Sequence, residues 1–221
     1  MTPAPGAGAE PGRGWAAPLA LLLFFGVLTL WVRQRWALSL LESGVFLTGI
    51  AWLIDWARRK APLSGSAVLI PLLGAALWGP LQLLLGTTVY RFDTLQAALY
   101  WTAALVLAFV GFQALQADRV RAWFLRLLLY FGFAVSVLAA TQYFTSGGRI
   151  FWIFPSGYPD ALGPFVYRNN YAAFIELVLP VALVTAMRER RRTLTFCLMA
   201  GVMYASVIAS ASRAGSVLVT A

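Results

Sequence analysis

Seven apolar runs, each close to the 20 residues that a helix needs to cross a bilayer, constrain this chain more than any other feature. A soluble domain of 221 residues that is 61% hydrophobic would have no place to bury so much apolar surface. The sequence therefore predicts an all-α fold, a polytopic transmembrane helix bundle with about seven spans. The runs cover roughly residues 16–32, 36–54, 65–86, 95–116, 123–144, 170–187 and 194–211.

The regions outside these runs predict how the chain is divided. Residues 1–14 are rich in Pro, Gly and Ala, which predicts a disordered tail followed by five helices over 15–144. A Gly- and Pro-rich loop over 145–169 then precedes two further helices within 170–221. An eighth apolar run begins at 216–221, and the chain stops inside it. We therefore expect a truncated sequence, the N-terminal part of a longer protein.

The basic residues predict the orientation in the membrane. A formal net charge of +9 would suit a nucleic-acid partner, but the arginines cluster at the ends of apolar runs. Topology explains them better, and we expect no nucleic acid to bind. The loops after the second, fourth and sixth runs carry ten basic residues, against six on the opposite side. The positive-inside rule then places the N-terminus in the cytoplasm and loop 145–169 outside it.

Two carboxylates, Glu42 and Glu176, lie inside apolar runs. An ionisable group at the bilayer centre costs about 3 kcal/mol or more, so each needs a reason. Both lie about six residues from the outer end of a run, roughly 9 Å deep at 1.5 Å per residue. Asn169 is seven residues before Glu176 and therefore shares its helix face. This pattern predicts a polar cavity that opens outward.

The last complete run carries a second polar stripe. Ser206, Ser210 and Arg213 follow an i, i+4, i+7 spacing that leads toward the outer surface. The two serines fit helix packing better than catalysis. The arginine at the end of the stripe is the residue that suggests function.

Structural interpretations remain open for the other polar residues. Arg168 and Arg149 fit ordinary interfacial anchors. Glu42 and Glu176 fit buried ion-pair partners of Arg168, Arg149 or Arg213. A pattern of charges alone does not decide between these interpretations and a binding site.

Arginines on the outer leaflet suit one chemistry in particular. A guanidinium group binds phosphate through a planar bidentate fork, and a lipid-linked pyrophosphate presents its head at that surface. Transfer of a glycan from such a carrier needs neutralisation of the departing pyrophosphate and a base for the acceptor hydroxyl. The chain has no histidine, which leaves a carboxylate for the second task. No Asp-x-Asp pattern is present, so we expect a mechanism without metal or cofactor.

Two stretches resemble motifs of the O-antigen ligase/polymerase family of bacterial membrane glycosyltransferases. "GPFVYRNNYAAFIELVLPVAL" (163–183) is similar to its Phe-x-Asn-Arg-Asn-His-x-Ala helix start, and "ASVIASASRAGSVLV" (205–219) to its Ser-Arg-Gly/Ala turn. The resemblance covers roughly 145–221 and makes 170–221 the start of a ligase-like domain. Tyr167 stands where the family often has Asn, and Asn170 where it often has His.

The resemblance implies an enzyme of the bacterial inner membrane. Such an enzyme transfers a glycan from undecaprenyl pyrophosphate to lipid A core or to a growing glycan, and the sequence does not separate ligase from polymerase. Arg168 and Arg213 match the motif arginines, and Glu176 completes the expected catalytic set. The expected substrate-binding residues are Asn169, Asn170, Ser212, Arg149 and Glu42.

Two other classes of function fit the same pattern. A transporter or flippase of a lipid-linked saccharide would also need outward arginines and buried charges, but it predicts polar residues through the whole membrane depth. A non-catalytic membrane subunit that needs a partner is the second alternative, and the lack of histidine is consistent with it.

Overall fold

Helices dominate the structure. The computed structural model describes residues 11–60, 62–158, 161–210 and 220. This part of the chain contains seven α-helices and one short antiparallel hairpin. The elements are α1 (Pro11–Leu28), α2 (Arg35–Arg59), α3 (Leu69–Leu85), α4 (Arg91–Ala114), α5 (Asp118–Thr145), β1 (Arg149–Ile150), β2 (Phe154–Pro155), α6 (Arg168–Arg188) and α7 (Thr193–Ala209).

Five helices of the described chain are long and apolar enough to cross a membrane. They are α2, α4, α5, α6 and α7, the last together with the 3-10 turn Arg190–Arg192 that precedes it. Helices α1 and α3 are apolar but shorter. The all-α class is confirmed, and the apolar helices indicate a membrane protein, whereas the predicted count of about seven spans is not confirmed. Large apolar side chains such as Leu84 and Leu177 are exposed, as lipid contact requires.

Several predicted boundaries shift. Helix α1 begins at Pro11, so the last four residues of the predicted 1–14 tail are helical. Proline suits the first turn of a helix because that turn leaves its N–H groups without intrahelical partners. Helix α6 begins at Arg168, two residues inside the predicted loop 145–169, because polar side chains are tolerated in a solvated first turn. Residues 1–10 and the predicted eighth run, except for residue 220, lie outside the described residues.

Two helices end in left-handed residues. Lys60 (φ 50°) follows α2 and donates its backbone N–H to Trp56 O, and Gly86 (φ 64°) follows α3. Such a residue satisfies carbonyl groups that the last turn leaves open. Arg58 and Arg59 lie in the last turn of α2, where positive charge is favoured by the helix dipole.

The described residues form two compact units, 11–23 with Gln34–Phe124 and Phe24–Arg33 with 125–210. In the first unit, small residues allow close helix contact. A Cβ added at Gly79 of α3 would lie 2.8 Å from Ala98 Cβ of α4, and one added at Gly49 of α2 would lie 2.6 Å from Val106 Cγ1. Close backbone approach through small residues is a common way for helices to associate in a membrane.

The second unit packs α5, α6 and α7 around a continuous apolar core. Helix α6 contributes a buried stripe that includes Tyr171, Ile175, Val178 and Ala182, at the spacing of one helix face. Gly132 of α5 lies so close to this stripe that a Cβ added to it would be 2.6 Å from Val178 Cγ1. Packing in this core therefore sets the position of α6 within the second unit, and with it the position of the polar residues in its first turn.

Candidate functional site

The segment that joins α5 to α6, residues 146–167, is called the aromatic loop here. Its path is fixed by a fully buried amide, Gln142 of α5. Gln142 Nε2 donates to the carbonyl oxygens of Ala161 and Gly163, both at 3.2 Å. Gln142 Oε1 accepts the backbone N–H of Phe151 at 2.8 Å. One side chain thus satisfies backbone groups at both ends of the loop, which otherwise would be buried without partners.

The first half of the aromatic loop is a hairpin with an unusual turn. Strands β1 and β2 pair antiparallel, and Phe151 (φ 50°) and Trp152 (φ 61°) between them have left-handed backbones. Bulky residues rarely adopt this conformation, so the surrounding contacts must hold it. The ring of Trp31 lies 4.4 Å from that of Phe154, and Trp152 Nε1 donates to Thr145 Oγ1 at 2.9 Å. The hairpin is therefore held by contacts on both sides.

The second half of the aromatic loop closes with a tight turn before α6. Leu162 and Phe165 exchange two backbone hydrogen bonds of 2.9 and 3.0 Å. Gly163 supplies the positive φ of 57° that the first central position of such a turn requires. Leu162 and Phe165 are buried in the core of the second unit. This turn sets where α6 begins, because Tyr167, its N-cap residue, follows two residues later.

Three of the predicted site residues lie together at the start of α6. Arg168, Asn169 and Asn170 form its first turn and are exposed. The N-cap residue Tyr167 makes no side-chain cap hydrogen bond. The N–H groups and the dipole at the N-terminus of this 21-residue helix favour an anion. A guanidinium, two amides and a helix N-terminus are suitable groups for a phosphate.

A second guanidinium lies against the same loop. A Cβ added at Gly157 would be 3.7 Å from Arg33 Nη2. The hydroxyls of Tyr158 and Tyr167 are hydrogen bonded at 3.1 Å. This hydrogen bond, with the repulsion between two phenolates, raises the pKa of Tyr167, and the charge of Arg33 acts in the opposite direction. Arg33 is therefore near enough to the start of α6 to influence Tyr167 electrostatically.

Glu176 lies two turns further along α6. It is half-buried, next to the fully buried Ile175, and it forms no hydrogen bond or ion pair with the side chains that the structure describes. Seven residues, about 10 Å along the axis, separate it from Asn169 on the same face. Among the described residues Glu176 is therefore not paired with Arg168 or Arg149, and Arg213, the third partner considered, lies outside them. A carboxylate without a partner among the described residues is a candidate base.

The serine stripe of α7 is part of the packing. Tyr171 Oη donates to Ser206 Oγ at 2.5 Å, and Ser206 Oγ donates to the Met203 carbonyl at 2.6 Å. Ser210 Oγ donates to the Val207 carbonyl at 2.6 Å. Both serines are buried. They support the structural interpretation, and Tyr171 ties α6 to α7.

The remaining predicted residues are spread over different parts of the chain. Arg149 is exposed on β1 of the aromatic loop. Glu42 belongs to the first unit, where its Oε1 is buried and has no hydrogen-bond partner among the described residues. Ser212 and Arg213, and with them the predicted Ser-Arg turn, lie outside the described residues.

Sequence reasoning missed the residues that shape the loop. Gln142 lies inside the predicted apolar run 123–144, and the signal that marks it is that an amide at such a position needs hydrogen-bond partners. Arg33 and Trp31 lie far from the loop in sequence, and no local pattern connects them to Gly157 and Phe154.

Comparison of the chain with protein-family models, with curated proteins and with solved structures gave no match. The assignment of a function therefore rests on the residues and contacts described above.

Proposed function

We propose that this chain is a membrane glycosyltransferase of the O-antigen ligase/polymerase type, or a part of one. Its reaction is transfer of a glycan from undecaprenyl pyrophosphate to lipid A core or a growing glycan, on the outer face of a bacterial inner membrane. The N-terminus lies in the cytoplasm. The observation that carries the proposal is the exposed first turn of α6, which begins with the cationic Arg168 and whose N-cap residue Tyr167 makes no side-chain cap hydrogen bond.

The pyrophosphate of the carrier would lie at this helix start. Arg168 supplies a bidentate donor, and the N-terminal end of the α6 dipole attracts the negative charge. Asn169 and Asn170 add neutral amide donors from the same turn. Arg33 and Arg149 are further cations of the second unit, the first against Gly157 and the second on β1. In this proposal Arg213 and Ser212, from the turn that resembles the family motif, complete the anion site.

The chemistry needs one base and strong charge neutralisation. The acceptor hydroxyl attacks the anomeric carbon of the glycan, and the bond from that carbon to the pyrophosphate oxygen breaks. The hydroxyl proton passes to the Glu176 carboxylate, and the pyrophosphate leaves on the carrier with its charge held by Arg168 and Arg213. The lack of a partner for Glu176 among the described residues supports its role as base.

Glu42 is proposed to bind substrate rather than to react. Its buried Oε1 has an unused acceptor position, which makes a sugar hydroxyl a suitable partner.

The proposal is tested by glycan transfer in proteoliposomes. The assay uses the complete protein, a fluorescent glycan on undecaprenyl pyrophosphate, and lipid A core or free glycan as acceptor. Arg168→Gln removes the guanidinium and its bidentate contact with phosphate. It should lower kcat by about 100-fold or more, in the range found for loss of one charge-stabilising donor. Arg168→Lys should keep only part of the rate, since a single ammonium cannot form the bidentate contact.

Arg188→Gln is the matched control. Arg188 is an exposed arginine in the last turn of the same helix, and its loss should leave transfer unchanged. Equal rates for Arg168→Gln and Arg188→Gln would contradict the anion site. Carrier binding without transfer to either acceptor would favour the non-catalytic subunit, and movement of the labelled carrier across the bilayer would favour the flippase.

A further inference from the structure

A large apolar groove lies in the first unit, away from the residues proposed for catalysis. It has a volume of about 620 Å³ and is bounded by α1, α3, α4 and the start of α5. Leucines from three helices form much of its wall, among them Leu19, Leu72 and Leu107. The volume lies in the range of about 300–1,000 Å³ that is usual for small-molecule sites. A groove of this kind within a membrane needs an apolar occupant.

The groove is polar at one end only. Ser66 before α3, Gln116 after α4 and Arg121 in the first turns of α5 lie at this end. Arg121 Nη2 is paired with Asp118, which uses one of the five N–H donors of the guanidinium. The side chain of Asp118 is 88% exposed and that of Arg121 51% exposed. The carboxylate is therefore well screened by solvent, and the arginine keeps donors for a second anion.

The length of the groove matches one leaflet of a bilayer. Its lining follows α4 from Phe112 inward to Ala104, eight residues or about 12 Å at 1.5 Å per residue, and continues beyond the end of α4 to Gln116. Half of a typical hydrocarbon core is about 15 Å. An acyl chain that starts at the polar end would therefore extend along the groove for most of one leaflet.

We propose that this groove binds an anionic phospholipid from the membrane, with an acyl chain among the leucines and its phosphate on Arg121. The apolar walls favour hydrocarbon over water, and the arginine gives the polar end the charge that a net-negative headgroup complements. The proposal is independent of the glycosyltransferase assignment, since none of the residues proposed for catalysis lines the groove.

The test is native mass spectrometry of the full chain after delipidation and exposure to equimolar phosphatidylglycerol and phosphatidylcholine with identical acyl chains. The wild type should retain phosphatidylglycerol about 10-fold more than phosphatidylcholine, as expected for one charge-assisted contact. Arg121→Gln should bring the two lipids to parity. Asp118→Asn removes the competing carboxylate and should keep or increase the preference.

A second variant tests the groove itself. A Cβ added at Gly111 meets no atom within 4 Å, so Gly111→Leu fills the groove without forcing α4 away from its neighbours. It should abolish retention of both lipids. Gly201→Leu is the matched control, because Gly201 also has open space and lies on α7. Thermal unfolding of each variant confirms that it is folded.

Three results would overturn the proposal. The first is a preference for phosphatidylglycerol that survives Arg121→Gln, because the headgroup would then be recognised elsewhere. The second is folded Gly111→Leu protein that retains as much lipid as the wild type. The third is an equal loss of preference in Arg188→Gln, because a general effect of net charge would then explain the selectivity.

Discussion

Gln142 Oε1 accepts the backbone N–H of Phe151 at 2.8 Å, while the amide nitrogen of the same side chain holds the carbonyls of Ala161 and Gly163. A single buried residue of α5 thus joins the turn of the hairpin to the turn before α6. The start of α6, where Arg168 lies, depends on that link.

Replacing Gln142 by Leu should therefore loosen the aromatic loop. The change leaves one N–H and two carbonyl groups buried without partners, at a cost of about 3 kcal/mol or more. Thermal unfolding in detergent and limited proteolysis within 146–167 measure it. Gln116→Leu is the control, since Gln116 is exposed and its amide donates to the Phe112 carbonyl of its own helix end. Cleavage rates that are equal in the two variants would contradict the role of Gln142.

The contact between Tyr171 and Ser206 predicts coupling between α6 and α7. Tyr171→Phe and Ser206→Ala each remove the hydroxyl contact, so the double variant should be less destabilised than the sum of the two. The expected coupling is about 0.5–1.5 kcal/mol, the usual range for such bonds between membrane helices. A double-mutant cycle from chemical unfolding measures it, and strict additivity would show that the hydrogen bond contributes nothing.

Two helical glycines should respond in opposite ways to alanine. Gly132→Ala places a Cβ 2.6 Å from Val178 Cγ1 and should cost about 1–3 kcal/mol through overpacking. Gly201→Ala meets open space and should stabilise α7 by about 0.5–1 kcal/mol. Differential unfolding of the two variants checks the signs.

Rescue makes the Gly132 prediction specific. Val178→Ala removes the methyl groups that the new Cβ would meet, so the double variant should unfold closer to the wild type than the sum of the single effects predicts. If the destabilisations caused by Gly132→Ala and Val178→Ala simply add, the new Cβ does not clash with Val178.

The pH response of the aromatic loop depends on Tyr167. Its pKa is raised, first by the hydrogen bond to Tyr158, so the protonated pair stabilises the loop fully below the ordinary pKa of tyrosine, about 10. This stabilisation is lost as the pH rises through the folded-state pKa. Carbon-13 NMR of ζ-labelled tyrosine, assigned with Tyr167→Phe, follows the titration.

Two variants should move that titration in opposite directions. Tyr158→Phe should lower the pKa of Tyr167, because the hydrogen bond and the second phenolate are gone. Arg33→Gln should raise it further, because the cation that favours the phenolate is removed. If Arg33→Gln leaves the pKa of Tyr167 unchanged, Arg33 does not lie close to the aromatic loop.

The sequence predicted the helices because their signal is local. Runs of apolar residues at α2, α4, α5, α6 and α7 are long enough to be recognised from composition alone. The helix ends were less accurate, since a polar first turn such as Arg168–Asn170 looks the same in a loop and in a helix.

The candidate site was predicted only where its residues are neighbours in the chain. Arg168, Asn169 and Asn170 come together in one turn of α6, as their sequence order requires. Arg33 lies against Gly157 although more than one hundred residues separate them in sequence, and Tyr171 and Ser206 are 35 residues apart. Such contacts follow from how the helices pack, and no local pattern of charge or hydropathy contains that information.

The left-handed backbone of Phe151 and Trp152 is maintained by groups outside the hairpin, chiefly Gln142, Thr145 and Trp31. The shape of the loop therefore depends on side chains of α5 and of the segment between α1 and α2, which lie outside the loop. Substitution of an exposed loop position such as Ile153 should consequently leave the path of the loop unchanged.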